Sequence, residues 1–278
     1  MDRQRLTITM KKELLKQVDL AIDGTRIRNR SHAIEYLLSK SLGPSISQAF
    51  ILAGGRGVKM RPFTYEMPKT MIPVHNCPIL EHIINQLREN GIKDIIISID
   101  YLGEKIKEYF KDGNKFGVKI TYLQEKNPTG TAAPLLKAKK YLTSNFFLVI
   151  HGDVLANIDY HDLISFAENN KPVVTMTLTS LADPSQCGTV KLRGAKVVDF
   201  QEKIGKGPEV SRLINAGIYV MSNKIFNYIP KKNVSMLEKD VFPELTKKGL
   251  ITGYFFEGQW FDISTPEIYE RALKEWRK

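Results

Sequence analysis

The feature that most constrains this chain is a short apolar run, Ala49 to Ala53, that empties directly into Gly54-Gly55-Arg56-Gly57. Val58-Lys59-Met60-Arg61-Pro62 follows, with Pro68-Lys69 a few residues further on. A run of this length bounded by glycine reads as a buried strand. The glycines permit positive φ and let backbone N–H groups come close to a ligand. A nest of such amides suits an anion, phosphate above all. Lys59, Arg61 and Lys69 add cations at the same strand end, although a glycine turn with solvated charges is the alternative. The spacing matches neither of the common glycine-rich phosphate fingerprints, G-x-G-x-x-G and G-x-x-x-x-G-K-[ST].

From Gln48 onward strands and helices alternate, which predicts an α/β fold around a mixed, mainly parallel, Rossmann-like sheet. Helical stripes are expected from Pro78 to Asn90, Gly103 to Phe110 and Thr131 to Leu142. Strands are expected at Ile95 to Ile99, Val118 to Leu123 and Phe146 to Ile150. Val173 to Leu178, Gly188 to Leu192, Lys196 to Phe200 and Leu213 to Val220 are rich in β-branched residues and predict an added sheet over the first half. Open α/β sheets bind ligands beyond the C-terminal ends of their strands, where the glycine segment lies. His151-Gly152-Asp153 ends another strand there, so Asp153 is well placed to hold Mg²⁺, an ion that takes one or two carboxylates plus substrate phosphates. His75, His82, His151 and His161 have no metal-binding spacing and read as ordinary residues.

Residues 1–43 follow a different pattern. Gln4 to Met10 alternates polar and apolar, the period of a half-buried strand. Leu14, Leu15, Val18 and Leu20 then suit a helix that Asp23-Gly24 breaks. Ser31 is a good N-cap for a second helix carrying Ala33, Ile34, Leu37 and Leu38. Gly43-Pro44 ends that helix, and residues 44–47 form a linker to a large domain at 48–278. A strand and two helices in about 40 residues cannot bury a core alone, so this unit needs a twin. Up to residue 46, Lys and Arg outnumber Asp and Glu nine to five, a net of +4.

Across the chain the net charge is +11, which favours polyanionic partners without choosing among nucleotides, sugar phosphates and nucleic acid. Apolar content of 42% and charged content of 26% describe a globular protein, and no apolar run approaches a membrane span. Two cysteines make neither a disulfide framework nor a metal cluster, so a reduced, cytoplasmic protein is expected.

The glycine segment through Pro68-Lys69 resembles the signature of the sugar-1-phosphate nucleotidyltransferases, and the order of motifs over 48–278 resembles that family throughout. Two positions depart from it: Lys59 stands at the signature arginine and Val58 at its Thr or Ser. Lysine keeps the charge but lacks the bidentate fork. The resemblance implies a nucleotide-diphospho-sugar transferase fold that moves a nucleoside monophosphate from an NTP to a sugar 1-phosphate, with Mg²⁺. It implies that Leu52, Ala53, Gly54, Gly55, Gly57 and Arg61 bind nucleotide, with Lys59 and Lys69 catalytic. Trp260-Phe261-Asp262-Ile263-Ser264-Thr265-Pro266-Glu267 resembles the second metal motif, pairing Asp262 with Asp153. Thr265, rather than Asp262, is expected to cap the helix opening at Pro266.

Phe200-Gln201-Glu202-Lys203 and Leu213-Ile214-Asn215-Ala216-Gly217 resemble the sugar-phosphate segments, which implies Glu202, Lys203, Asn215 and Gly217, with Gly188 matching less specifically. Gln124-Glu125 through Gly130 resembles the base-reading segment. Glu125 would suit guanine and Gln124 a thymine or uracil, with Glu125 favoured by the spacing to Gly130. Leu237 to Pro243 looks most like guanylyltransferases acting on mannose or heptose 1-phosphates.

The front segment resembles the ribbon-helix-helix family, whose two-fold dimers read double-stranded DNA. By that resemblance Leu6, Ile8 and Met10 enter the dimer core and Arg5, Thr7 and Thr9 enter the major groove. Asn29, Arg30 and Ser31 would clamp a phosphate. A dimer clip without DNA is the other reading, and a homodimer or tetramer is expected in both. A DNA-binding regulator whose weakened transferase domain senses a nucleotide or nucleotide sugar is the rival for the whole chain.

Overall fold

The computed structural model describes residues 5–25, 27–42, 46–125, 127–202 and 211–277. The chain divides into two compact units, Met1–Pro44 and Ser45–Lys278.

In the first unit, α1 (Lys12–Leu20) packs against α2 (Arg30–Leu42), with Val18 and Ala33 as their buried residues. Asp23 builds the turn between them, its Oδ1 accepting from the N–H groups of Thr25 and Ile27 at 2.8 and 2.9 Å. The cap of α2 is Asn29, not Ser31: Asn29 Oδ1 accepts from His32 N at 2.9 Å. Capping falls to the side chain just ahead of the first helical turn, a place Asn29 holds once Arg30 is helical. Residues 5–10 form no strand. A strand exists only by pairing, and the described part of this unit offers no second extended segment. Leu6, Ile8, Leu14 and Leu20 are exposed.

The second unit is built on one nine-stranded sheet. Its first half comprises β1 (Gln48–Leu52), β4 (Asp94–Ile99), β5 (Lys119–Gln124) and β6 (Phe146–His151), in the order β5-β4-β1-β6 and parallel throughout. The crossovers are α4 (Ile79–Glu89), α5 (Gly103–Phe110) and α6 (Ala132–Ala138). Two short strands, β2 (Pro73–Val74) and β3 (Cys77–Pro78), and the turn α3 (Phe63–Glu66) lie between β1 and α4. Leu80, Ile83, Ile84 and Leu87 form the buried stripe of α4, at helical spacing. Alternate residues of each strand face opposite sides. Ile51, Ile95, Ile97 and Ile150 join the core beneath α4, whereas Phe50, Ile96, Phe147 and Val149 join the core containing Leu135 of α6. A sheet buried on both faces needs apolar side chains at every position, which is why these strands read as continuous runs.

The second half corrects the expected added sheet. After β7 (Val154–Ala156) and α7 (Tyr160–Asn170) come β8 (Val174–Ser180), β9 (Gly188–Arg193), β10 (Lys196–Glu202) and β11 (Leu213–Ser222). A single π-helical turn at Leu237–Val241 leads into α8 (Phe242–Lys247), β12 (Ile251–Phe255), β13 (Trp260–Asp262) and α9 (Pro266–Glu275). Strand β11 pairs antiparallel with β6, placing Ile218 opposite Ile150, so the sheet continues as β6-β11-β8-β12-β10-β9. Only β8 and β12 are parallel in this half, so the sheet is mixed, as expected, but four of its eight neighbour pairings are antiparallel and it is not mainly parallel. Apolar runs record burial but not which edge a strand joins.

One buried side chain ties the start of the sheet together. Gln48 Nε2 donates to Asp94 Oδ2 at 2.7 Å and to Tyr141 O at 2.9 Å, while Gln48 Oε1 accepts from the N–H groups of Thr143 and Ser144. The change Gln48→Leu keeps the volume but strands those partners. We expect it to lower the unfolding free energy by about 2–3 kcal/mol in urea denaturation, and a change below about 0.5 kcal/mol would contradict this role.

Candidate active site

Strand β1 enters the middle of the parallel half, with β4 on one side and β6 on the other. Ligands collect in the crevice at such a point, beyond the strand C-termini. Ala53 N donates to Ser98 O at 2.9 Å, which carries the chain out of β1 and into the glycine segment. There Gly57 takes a positive φ of 58°, and a Cβ on it would lie 2.8 Å from Thr64 and 3.0 Å from Lys69. Thr64 Oγ1 donates to Gly57 O at 2.8 Å and Met60 N to the same oxygen at 2.8 Å. Glycine at 57 therefore lets the loop fold against Lys69.

Lys69 forms an ion pair with Asp153, and both side chains are largely buried. Asp153 leaves the end of β6. Antiparallel pairing of β7 and β13 sets Asp262 opposite Val154, and Ile263 N donates to Asp153 O at 3.0 Å. Two residues far apart in sequence are thus neighbours around one ammonium. Burial favours neutral Lys69, but the charges of Asp153 and Asp262 outweigh it and hold its pKa above the usual lysine value. Burial likewise pushes Asp153 up, while Lys69 first and then His151 bring it below the usual carboxylate value.

Three cavities meet at this cluster. The first, about 280 Å³, runs along Leu52, Gly54 and Gly55 to Asp100, Glu125 and Gly130, with Lys69 and Asp153 at one end. Glu125 is buried; its Oε2 accepts from Thr129 Oγ1 at 2.8 Å and Lys137 Nζ at 2.7 Å, and its Oε1 has no hydrogen-bond partner among the described residues. Gln124 is exposed at the end of β5 and lies outside this cavity, lining an outer depression with Lys137 and Lys232. Side chains alternate along a strand, so adjacent residues cannot both face inward. Asp100, which the sequence reading missed, has its pKa raised by burial and by Glu125, against the pull of Arg56.

The second cavity, about 210 Å³, gathers Gly188, Glu202, Asn215, Gly217 and Asp262, together with His151 and Glu238. Gly217 has a φ of 74° at a bulge in β11, and its N–H donates to Asn215 Oδ1 at 3.1 Å. The third, about 690 Å³, holds Gly57, Lys59, Lys69, Asp153 and Asp262. Lys59 Nζ donates to Gln186 Oε1 at 3.3 Å across it.

Other expected residues are placed differently. The guanidinium of Arg61 lies over the Tyr65 ring at 4.8 Å, and Arg61 lines none of the three cavities. Ala53 is buried behind them. Lys203 lies outside the described residues. In the first unit Arg5, Thr7, Thr9 and Ser31 are exposed, Asn29 is engaged as the cap, and Arg30 pairs with Asp19 through bonds of 2.7 and 2.9 Å. His151 is not the ordinary residue its isolation suggested, since it lines all three cavities. Among the described residues, no group of three or more His, Cys, Asp or Glu is arranged to hold a metal, and no helix is long and apolar enough to cross a membrane. Thr265 caps α9, its Oγ1 accepting from Ile268 N at 3.4 Å.

Comparison with known proteins places this geometry. Residues 48–278 match the family described as nucleotidyl transferase. A mannose-1-phosphate guanylyltransferase of Mycobacterium tuberculosis is 33% identical over 227 residues, 81% of this chain and 63% of that protein. The mannose-1-phosphate guanylyltransferase catalytic subunit beta of Danio rerio is 33% identical over 229 residues, 80% of this chain and 62% of its own length. The chain therefore spans about 63% of the length of such curated relatives. Among solved structures, HddC from Yersinia pseudotuberculosis, complexed with GMP-PN, superposes with a TM-score of 0.72 at 25% identity, covering 84% of this chain and 100% of that one.

The Lys69–Asp153 pair makes stability depend on pH at both ends. Asp153 is depressed below 3.8, so its contribution is present above that value and is lost as pH falls through the folded pKa. Lys69 is raised above 10.5, so its contribution is present below that value and is lost as pH rises through the folded pKa. At pH 7, Lys69→Met and Asp153→Asn should each cost about 2–3 kcal/mol, and the double variant less than their sum. Additive losses in thermal or urea unfolding would show that the pair does not act as a unit.

Proposed function

The chain belongs to the nucleotidyl transferase family, and on that premise we propose that it transfers a nucleoside monophosphate from an NTP to a sugar 1-phosphate, releasing pyrophosphate. The observation that carries the reading is the cluster of Lys69, Asp153 and Asp262 where the three cavities meet. A phosphate oxygen of the sugar 1-phosphate attacks the α-phosphorus, the bond from that phosphorus to the bridging oxygen breaks, and pyrophosphate leaves. No group on the protein becomes bonded to substrate. Catalysis then consists of alignment and charge neutralisation.

The first cavity takes the nucleotide and the second the sugar. Lys69 neutralises charge at the α-phosphate, and Lys59 with the amides of the glycine loop receives the outer phosphates in the third cavity. Lys203 is proposed to hold the phosphate of the sugar 1-phosphate. The donor set fits Mg²⁺: Asp153 and Asp262 offer two adjacent carboxylates beside open space, the number this ion takes when substrate phosphates complete its shell. When bound there, the ion supplies charge neutralisation for the reacting phosphates.

Guanine suits the base end. Unpaired Glu125 Oε1 offers an acceptor to the N–H donors on the guanine edge. The guanylyltransferase names of the curated relatives point the same way. The names of the same relatives support a mannose 1-phosphate, and the heptose alternative rests on the resemblance of Leu237 to Pro243 alone.

For the first unit, exposed Leu6, Ile8 and Leu14 and the net charge of +4 up to residue 46 support a dimerising ribbon-helix-helix module that binds double-stranded DNA. The DNA contacts would come from Arg5, Thr7 and Thr9, and Arg30 reaches a phosphate only by exchanging Asp19 for it.

Two measurements test these readings. With Mg²⁺, GTP and mannose 1-phosphate we expect pyrophosphate release, and Lys69→Ala should cut kcat by about 10²–10³-fold with the fold retained. Unchanged turnover in that variant removes Lys69 from the chemistry. In mobility-shift titrations on duplex DNA, the full chain should bind with steep salt dependence and the chain lacking residues 1–43 should not. An identical response from both leaves a dimer clip.

A further inference from the structure

The sugar-side cavity contains two polar atoms that make no hydrogen bond among the described residues, His151 Nε2 and Glu238 Oε1. They face each other at 3.6 Å, beyond hydrogen-bond reach. Glu238 is only 6% exposed. A buried carboxylate oxygen without a donor is unfavourable, so a group that supplies the donor is expected in the working state.

Both side chains are held in place. The other carboxylate oxygen of Glu238, Oε2, accepts from Thr131 Oγ1 at 2.7 Å, and that hydroxyl accepts from Leu237 N at 2.8 Å. The π-helical turn is thereby tied to the start of α6, and Oε1 is left buried at the wall of the cavity without a donor among the described residues. The imidazole of His151 stands edge-on to Tyr219, with ring centres 5.8 Å apart. It also packs against Gly217, where a Cβ would lie 3.3 Å from the ring.

We infer that His151 and Glu238 together read one ring hydroxyl of the sugar, the hydroxyl donating to Glu238 Oε1 and accepting from the Nε2–H of His151. The inference rests on the transferase reading and goes beyond it by naming the pair that selects the sugar. A hydroxyl is both donor and acceptor, which is what two such atoms 3.6 Å apart require. A hydrogen in its place satisfies neither. Glu202, Glu238 and Asp262 line the same small cavity, so the fitting substrate is a 1-phosphate whose sugar ring carries no carboxylate. Both residues act on substrate specificity.

The test is pyrophosphate release with GTP and whichever of mannose, glucose and galactose 1-phosphate is turned over fastest, set against the monodeoxy analogues of that sugar. The wild-type chain should lose about 10²-fold or more in kcat/KM with one analogue and far less with the others. Glu238→Gln and His151→Phe should each shrink the wild-type ratio of parent to that analogue in kcat/KM by about 10-fold or more, whatever they do to absolute turnover. Equal use of all analogues by the wild-type chain overturns the inference, and this comparison needs no variant to fold. A variant that lowers parent and analogue alike assigns the pair a structural role and also overturns it. No pyrophosphate from any pair overturns the transferase reading itself, and this inference with it.

Discussion

A single ammonium, that of Lys69, sits where three separate pieces of chain have to meet. The glycine loop folds over it, β6 delivers Asp153 to it, and the β7–β13 pairing brings Asp262 alongside. Both carboxylates act on its charge and hold it protonated against the cost of burial. The lysine in turn holds Asp153 ionised. Burial makes the arrangement consequential, because charges interact more strongly where water is scarce.

The sheet exists in the form that makes this meeting possible. Entry of β1 between β4 and β6 opens a crevice at the strand ends, and the glycine segment lies over it. Continuation of the sheet through β11 carries Asn215 and Gly217 to the side of His151, so the second half of the chain supplies the far wall without a separate layer. Gly57 and Gly217 both take positive φ where side chains crowd in, at Lys69 and at His151, and a larger residue at either would displace those groups.

Much of the first half of the fold is legible in the residues themselves. Isoleucine-rich runs such as Ile95 to Ile99 are strands because both sheet faces are covered, and Gly103–Phe110 is a helix as its spacing requires. Motif spacing also locates the cluster, since Lys69, Asp153 and Asp262 all reach one place. What escaped depends on pairing and register. The spacing to Gly130 favours Glu125 over Gln124, but only the end of β5 shows why, turning one outward and burying the other. The antiparallel junction of β11 with β6 leaves no mark in an apolar run. His151 looks ordinary by spacing, since its relevance comes from Glu238, 3.6 Å away in space and far along the chain. The expected strand at the front could not be realised by residues 5–10 alone, because a lone extended segment has nothing to pair with.

The central claim is that the carboxylates of Asp153 and Asp262 share one divalent cation beside Lys69. Anomalous diffraction from crystals grown with Mn²⁺ and a non-hydrolysable GTP analogue tests it most directly. The account predicts one anomalous peak in contact with both carboxylates and with a phosphate oxygen of the nucleotide. A peak bound by only one of the two aspartates, or by neither, would contradict it.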